Sequence, residues 1–293
     1  MALAYTLAMR GTVSELLLVG RNADRARGEA IDLQHAHAFL DTPLHVRAGR
    51  VDEVTGSEVV VISASVPMAP GLADRNALAA GNAELMREIV PAVAAAAPEA
   101  ILVMVSNPVD VLTWQALRLS GFPARRVLGM GTLIDSARFR EALSQEVSIH
   151  PADLRSYVLG EHGENQFPVM SLAQAGGEPI ADTPARRALF DETVGSGVEV
   201  FRLKGHTCYA VAMAAATTIE AILRNEKRTL PLSIEMDGLY EVQGVCLSVP
   251  VVVGRRGVER ILHPPLNEAE QEAFRACAHA VRAVIEGAGV EEG

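Results

Sequence analysis

Short apolar runs alternate with longer segments of helical spacing through the first 130 residues. The runs are ELLLVG (15–20), EVVVISA (58–64), AILVMVS (100–106) and RVLGMG (126–131). Between them, Asn22–His37 and Asn76–Ala97 read as helices. Strands that are apolar at nearly every position are buried on both faces by crossover helices. Strand–helix alternation at this spacing predicts βαβ units and a parallel, doubly wound sheet. Such sheets bind ligands beyond the carboxyl ends of their strands. That places candidate chemistry at Gly20, at residues 64–71 and at Ser106–Asp110.

From about Thr132 the pattern changes. Thr132–Glu146 reads as a helix, and a strand-like YVLG leads into the polar turn EHGEN. Thr207–Asn225 is an alanine-rich helix, and LPLSIEM and VCLSVPVVVG read as strands of a mixed α+β half. Asn267 with Glu270 three residues on is a capping-box pattern opening a last helix that ends near Gly287. We therefore divide the chain into residues 1–130 and 131–293.

Composition narrows the function classes. With 26 Lys+Arg against 36 Asp+Glu the net charge is −10, which argues against non-specific binding of nucleic acid or anionic membranes. Cys208, Cys246 and Cys277 are odd in number and widely spaced, so neither a disulfide framework nor a thiolate metal site is expected, and no metal. No apolar run reaches the roughly 18–20 residues of a membrane helix. The expectation is a cytoplasmic protein.

Four clusters offer chemistry. In GEHGEN (160–165), His162 titrates near neutral pH and suits proton transfer; the plainer reading is a surface turn histidine. In LIDSAR (133–138), Asp135 and Arg138 lie one helical turn apart. They form either a local ion pair, or a carboxylate that orients His162 beside a guanidinium that holds a substrate carboxylate. In SNPVD (106–110), Asn107 ends a strand, where an amide can bind a ligand or simply make an Asn-Pro turn. In VPMAPGLADR (66–75), Arg75 sits on either a closing lid or a plain loop.

In this order the clusters resemble the lactate/malate dehydrogenase family of NAD-dependent L-2-hydroxy-acid dehydrogenases. The stretches SNPVDVLT, GTLIDSARFR, YVLGEHGENQF, LKGHTCYAVA and LSVPVVVGRRGV carry the resemblance, which spans essentially the whole chain and is nearer to the lactate branch. It implies a Rossmann-like dinucleotide-binding half and a substrate half, with NAD as cofactor and a small 2-hydroxy or 2-keto acid as substrate. It also implies a homodimer or homotetramer. By the same resemblance His162 moves the proton, Asp135 orients it, Arg138 grips the substrate carboxylate and Arg75 polarises the carbonyl. Asn107 meets both cofactor and substrate, Thr207 and Met68 line the substrate pocket, and Val211 packs near the nicotinamide.

The chain departs from the family at three places. AYTLAMRG aligns with the end of the helix that follows the family's first strand and GxGxxG turn, and neither strand nor turn is present. Either Met1 is internal to a longer frame, or the chain is short and binds cofactor poorly. Gly20, followed by Arg21, stands where an acidic residue normally binds the ribose, which admits NADP as well as NAD. The lid is one residue longer, and without an arginine near Met68 or Ala69 a second substrate carboxylate lacks a partner. Malate dehydrogenase activity is the alternative within enzymes, and a non-catalytic paralogue without cofactor binding is the alternative outside them. Arg140 and Arg155 correspond to an activator site of some relatives, or are ordinary surface arginines.

Overall fold

The computed structural model describes residues 1–67 and 75–290, with the backbone alone for 75–77. The first half opens with helix α1 (Ala2–Met9), strand β1 (Glu15–Val19), helix α2 (Ala23–His35) and strand β2 (His45–Gly49). It continues with β3 (Val59–Ile62), α3 (Arg75–Ala96), β4 (Ile101–Met104), α4 (Val109–Ser120) and β5 (Val127–Gly129). Asn22 starts α2 by accepting the Arg25 N–H at 2.9 Å, so one orphan donor of the first turn is satisfied. Gly121 ends α4 in the left-handed conformation, where glycine carries no Cβ penalty. All four residues of β4 are buried, as a strand covered by helices on both faces requires.

The second half begins with α5 (Leu133–Val147). Five two-residue strands follow, β6 (Leu154–Arg155), β7 (Val158–Leu159), β8 (Phe167–Pro168), β9 (Gln174–Ala175) and β10 (Glu178–Pro179). Then come α6 (Pro184–Lys204), α7 (Tyr209–Leu223), β11 (Arg228–Asp237), β12 (Gln243–Gly254), β13 (Gly257–Ile261) and α8 (Glu268–Gly287). The Asn267/Glu270 capping box opens α8 as the sequence predicts.

Strands β6, β9 and β10 of this half form a small three-stranded sheet and β7 with β8 a two-stranded one, whereas the long strands β11–β13 join the sheet of the first half. Antiparallel β11 pairs with β5 through Ser233 and Gly129, making one mixed sheet in the order β13-β12-β11-β5-β4-β3. Glycine permits this junction, because a Cβ on Gly129 would lie 2.3 Å from Thr113 Oγ1 and 3.0 Å from Ser233 Cβ.

The parallel part of the sheet lies in two pieces. Parallel β1 and β2 form a two-stranded sheet, whereas β3 pairs only with β4 among the described residues. Side chains bridge the two pieces on both faces. Leu16 shares a cluster with Val59, Val61 and Leu7, and Leu17 shares one with Val60, Val54 and Ala100. Val59–Val61 are only half-buried, in contrast to β4. Ladder groups on the facing edges of β1 and β3 therefore have no strand partner there.

Helix α6 is absent from the sequence reading. It buries only Phe190, carries two interior glycines, Gly195 and Gly197, and presents no apolar stripe. Among the described residues, no single helix is long and apolar enough to cross a membrane.

Candidate active site

Helix α5 and the turn after β7 converge, and three buried hydroxyls hold them together. The Thr132 hydroxyl donates to the Val158 carbonyl at 2.6 Å, and the Val158 N–H donates to Ser136 Oγ at 2.9 Å. The Thr132 N–H donates to Ser248 Oγ of β12 at 2.9 Å. Gly131, just before α5, has φ +44, and a Cβ there would lie 2.1 Å from Ser248 Oγ. Gly160, with φ +90, exchanges both backbone hydrogen bonds with Ser248 and turns the chain toward His162.

This frame delivers His162 to Asp135. Imidazole Nδ1 lies 2.5 Å from Asp135 Oδ2, while Arg138 Nη1 donates to Asp135 Oδ1 at 2.9 Å. One buried carboxylate, 5% exposed, thus serves two cationic side chains. The Arg138 guanidinium also lies against Gly197 of α6, where a Cβ would approach both terminal nitrogens at 3.2 Å. Because Nδ1 faces the carboxylate, Nε2 is the nitrogen left for another molecule, and it has no hydrogen-bond partner among the described residues.

Electrostatics follow the geometry. Burial disfavours the His162 imidazolium, yet Asp135, with Asp110 behind it, outweighs that cost and holds the His162 pKa above its ordinary value. Burial alone would raise the Asp135 pKa, but His162 and Arg138 win and hold it below the usual carboxylate range. The imidazolium form of His162 is thereby favoured relative to a free imidazole.

The carboxyl ends of β3 and β4 form a second wall. Asn107 is exposed and precedes a cis peptide bond to Pro108. Its carbonyl accepts from Asn82 Nδ2 at 2.7 Å, while Asn82 Oδ1 accepts the Val66 N–H at 2.7 Å. Asn82, fully buried on α3, ties these two strand ends together. The sequence reading does not select it. Its signal is an amide inside an otherwise apolar helical stretch, ALAAGNA (77–83), where an unpaired amide would be costly.

The remaining predicted residues fall into three groups. Arg75 begins α3 rather than standing in a loop, and its side chain, like Met68 and the rest of the 68–74 segment, lies outside the described residues. Thr207 is exposed between α6 and α7, and Val211 is half-buried in α7. Among the described residues, no hydrogen bond or ion pair links either to His162. Gly20 and Arg21 are exposed in the turn between β1 and α2, with no carboxylate at the strand end. Among the described residues, no group of three or more His, Cys, Asp or Glu side chains could hold a metal ion.

Comparison with known proteins bears on both halves. Residues 1–129 match the family model described as lactate/malate dehydrogenase, NAD binding domain. Residues 132–292 match lactate/malate dehydrogenase, alpha/beta C-terminal domain. An L-lactate dehydrogenase of Synechococcus sp. (strain JA-3-3Ab) is 37% identical over 292 residues, covering 98% of this chain and 95% of that protein. One of Thermus aquaticus is 38% identical over 298 residues, covering 98% and 96%. The crystal structure of minor L-lactate dehydrogenase from Enterococcus mundtii in the ligands-bound form superposes with a TM-score of 0.93. That pair is 31% identical, over 97% of this chain and 93% of that one.

Proposed function

The chain belongs to the lactate/malate dehydrogenase family, and on that footing we propose that it interconverts a small L-2-hydroxy acid and its 2-keto acid with NAD, as an L-lactate dehydrogenase does. The observation that carries this reading is the His162–Asp135–Arg138 cluster. It joins a proton donor from the turn after β7 to a carboxylate that charges it and a guanidinium one helical turn further along α5.

In the reducing direction His162 gives its Nε2 proton to the substrate carbonyl oxygen as negative charge develops there. Asp135 fixes the ring through Nδ1 and stabilises the imidazolium before transfer. Arg138 has five N–H donors and spends one on Asp135, leaving others for the substrate carboxylate. By the resemblance to the family, Arg75 is the second cation for the carbonyl, and Met68 and Thr207 are the residues assigned to the substrate side chain. When bound, NAD supplies or accepts the hydride.

The nicotinamide end of that cofactor suits the residues present. Asn107 is exposed at the ligand edge of the sheet with its backbone pinned by Asn82, and Val211 offers an apolar neighbour. At the adenine end the fit is weaker. Gly20 and Arg21 leave the ribose hydroxyls without a carboxylate, which supports acceptance of NADP beside NAD. Exposed Val198, Leu203 and Tyr209 on α6 and α7 support burial against further copies, as a homodimer or homotetramer.

The deciding experiment is NADH and NADPH oxidation with pyruvate, longer apolar 2-keto acids and oxaloacetate. Pyruvate or a longer apolar 2-keto acid should be turned over at least about tenfold faster than oxaloacetate. Preference for oxaloacetate, or no turnover of any of them, overturns the reading.

A further inference from the structure

We propose that Asp110 is a positioning residue for proton transfer, holding the backbone of His162 in place and supplying a second negative charge beneath its ring. Asp110 lies on α4, 2% exposed, with both carboxylate oxygens committed. Oδ2 accepts the His162 N–H at 2.7 Å, and Oδ1 accepts the Ser233 hydroxyl of β11 at 2.5 Å. His162 is therefore gripped twice, by Asp135 at its ring and by Asp110 at its backbone.

A carboxylate is a costly way to hold one N–H in a buried place, since a neutral amide or a carbonyl would do the same. The charge is what a neutral group could not supply. Asp110 is faced by His162 and Glu161 from the turn after β7, and by the thiols of Cys246 on β12 and Cys277 on α8. His162 is faced by Asp135 and Asp110 on one side of the balance and by Arg138 on the other. Both thiols have their pKa pushed up by burial, so they stay neutral, and the imidazolium is the nearby cation that repays the buried charge. Burial pushes the Asp110 pKa up to about 6 despite the hydrogen bonds from Ser233 and His162, so the carboxylate is charged at neutral pH by a narrow margin. As the medium falls below that value the support under His162 is withdrawn.

The inference rests on His162 being the proton donor of the proposed reaction, and its test does not need turnover. The proton shift of the His162 ring, assigned by its loss in His162→Gln, is followed against pH by NMR in the wild-type protein, Asp110→Asn and Ser233→Ala. Asn keeps an acceptor for the His162 N–H but removes the charge. It should lower the His162 pKa by half a unit or more, about a threefold loss of imidazolium above that pKa. Ser233→Ala removes a donor to Asp110, raises the carboxyl's own pKa and should move His162 in the same direction by less. It also serves if Asp110→Asn does not fold. The alkaline limb of kcat/KM for keto-acid reduction should shift by the same amount, with NADH affinity unchanged. Unmoved His162 titration in the folded variants overturns the proposal, even where their stability falls. A wild-type protein without any turnover overturns the functional reading instead and leaves the titration to decide on Asp110.

Discussion

Nδ1 of His162 and Oδ2 of Asp135 stand 2.5 Å apart although 27 residues separate them in the chain. Neither side chain is held by chance. Ser248 of β12 anchors the start of α5 through the Thr132 N–H and the turn before His162 through Gly160. The pair is thus registered by a common strand, which is how a loop residue comes to share the rigidity of a sheet.

Asp135→Asn tests the pair directly. An amide cannot stabilise the imidazolium and favours the wrong tautomer, so kcat should fall by about 10²–10⁴-fold. His162→Ala should lose at least as much. In both variants NADH affinity, read by quenching of its fluorescence, should remain within about twofold of wild type. Turnover near normal in His162→Ala would remove the residue from the mechanism.

Stability should carry the same signature. The raised pKa of folded His162 means that its contribution is complete below the unfolded value of about 6.5 and is lost as pH rises through the folded value. The lowered pKa of folded Asp135 means that its contribution is complete above about 3.9 and is lost as pH falls through the folded value. The Tm difference between wild type and Asp135→Asn should therefore be greatest between about pH 4 and 6.5, and should shrink at alkaline pH. A difference independent of pH in calorimetry from pH 4.5 to 9 would mean that the ion pair contributes no linkage.

Asn82→Ala should strand the Val66 N–H and the Asn107 carbonyl. Loss of two part-buried hydrogen bonds costs about 1–3 kcal/mol in urea unfolding. Because Asn107 is exposed at that edge, NADH affinity should fall while the His162 titration stays in place. A variant with unchanged affinity would show that the tie serves stability only.

Gly20→Asp restores a carboxylate at the end of β1. NADH should bind more tightly and NADPH more weakly, widening their ratio by about tenfold or more. If both affinities are unaltered, the β1–α2 turn does not meet the ribose.

Elements with strong one-dimensional signals are readable from the chain. The apolar run of β4, the capping box of α8 and the motifs around Asp135 and His162 all stand where the sequence places them. Four features are hidden, each for a physical reason. Helix α6 has no stripe to detect. The junction of β11 with β5 depends on how closely Ser233 approaches Gly129 across the molecule, which no local window contains. Asp110 is visible within SNPVD, but its hold on His162 N spans 52 residues, and Asn82 bridges two strand ends from a third element. Side chains whose partners are distant backbone atoms leave little trace in sequence.

Among the described residues the two-stranded sheet of β1 and β2 shares no ladder with the larger sheet and meets it through side-chain clusters, which makes a seam. Amides of β1 and β3 that point away from β2 and β4 should exchange with deuterium well before those of β4, because among the described residues no neighbouring strand protects them. The exposed pair Gly20 and Arg21 thus follows a strand of the smaller sheet, whereas His162 and Asp135 are registered by Ser248 on the larger one.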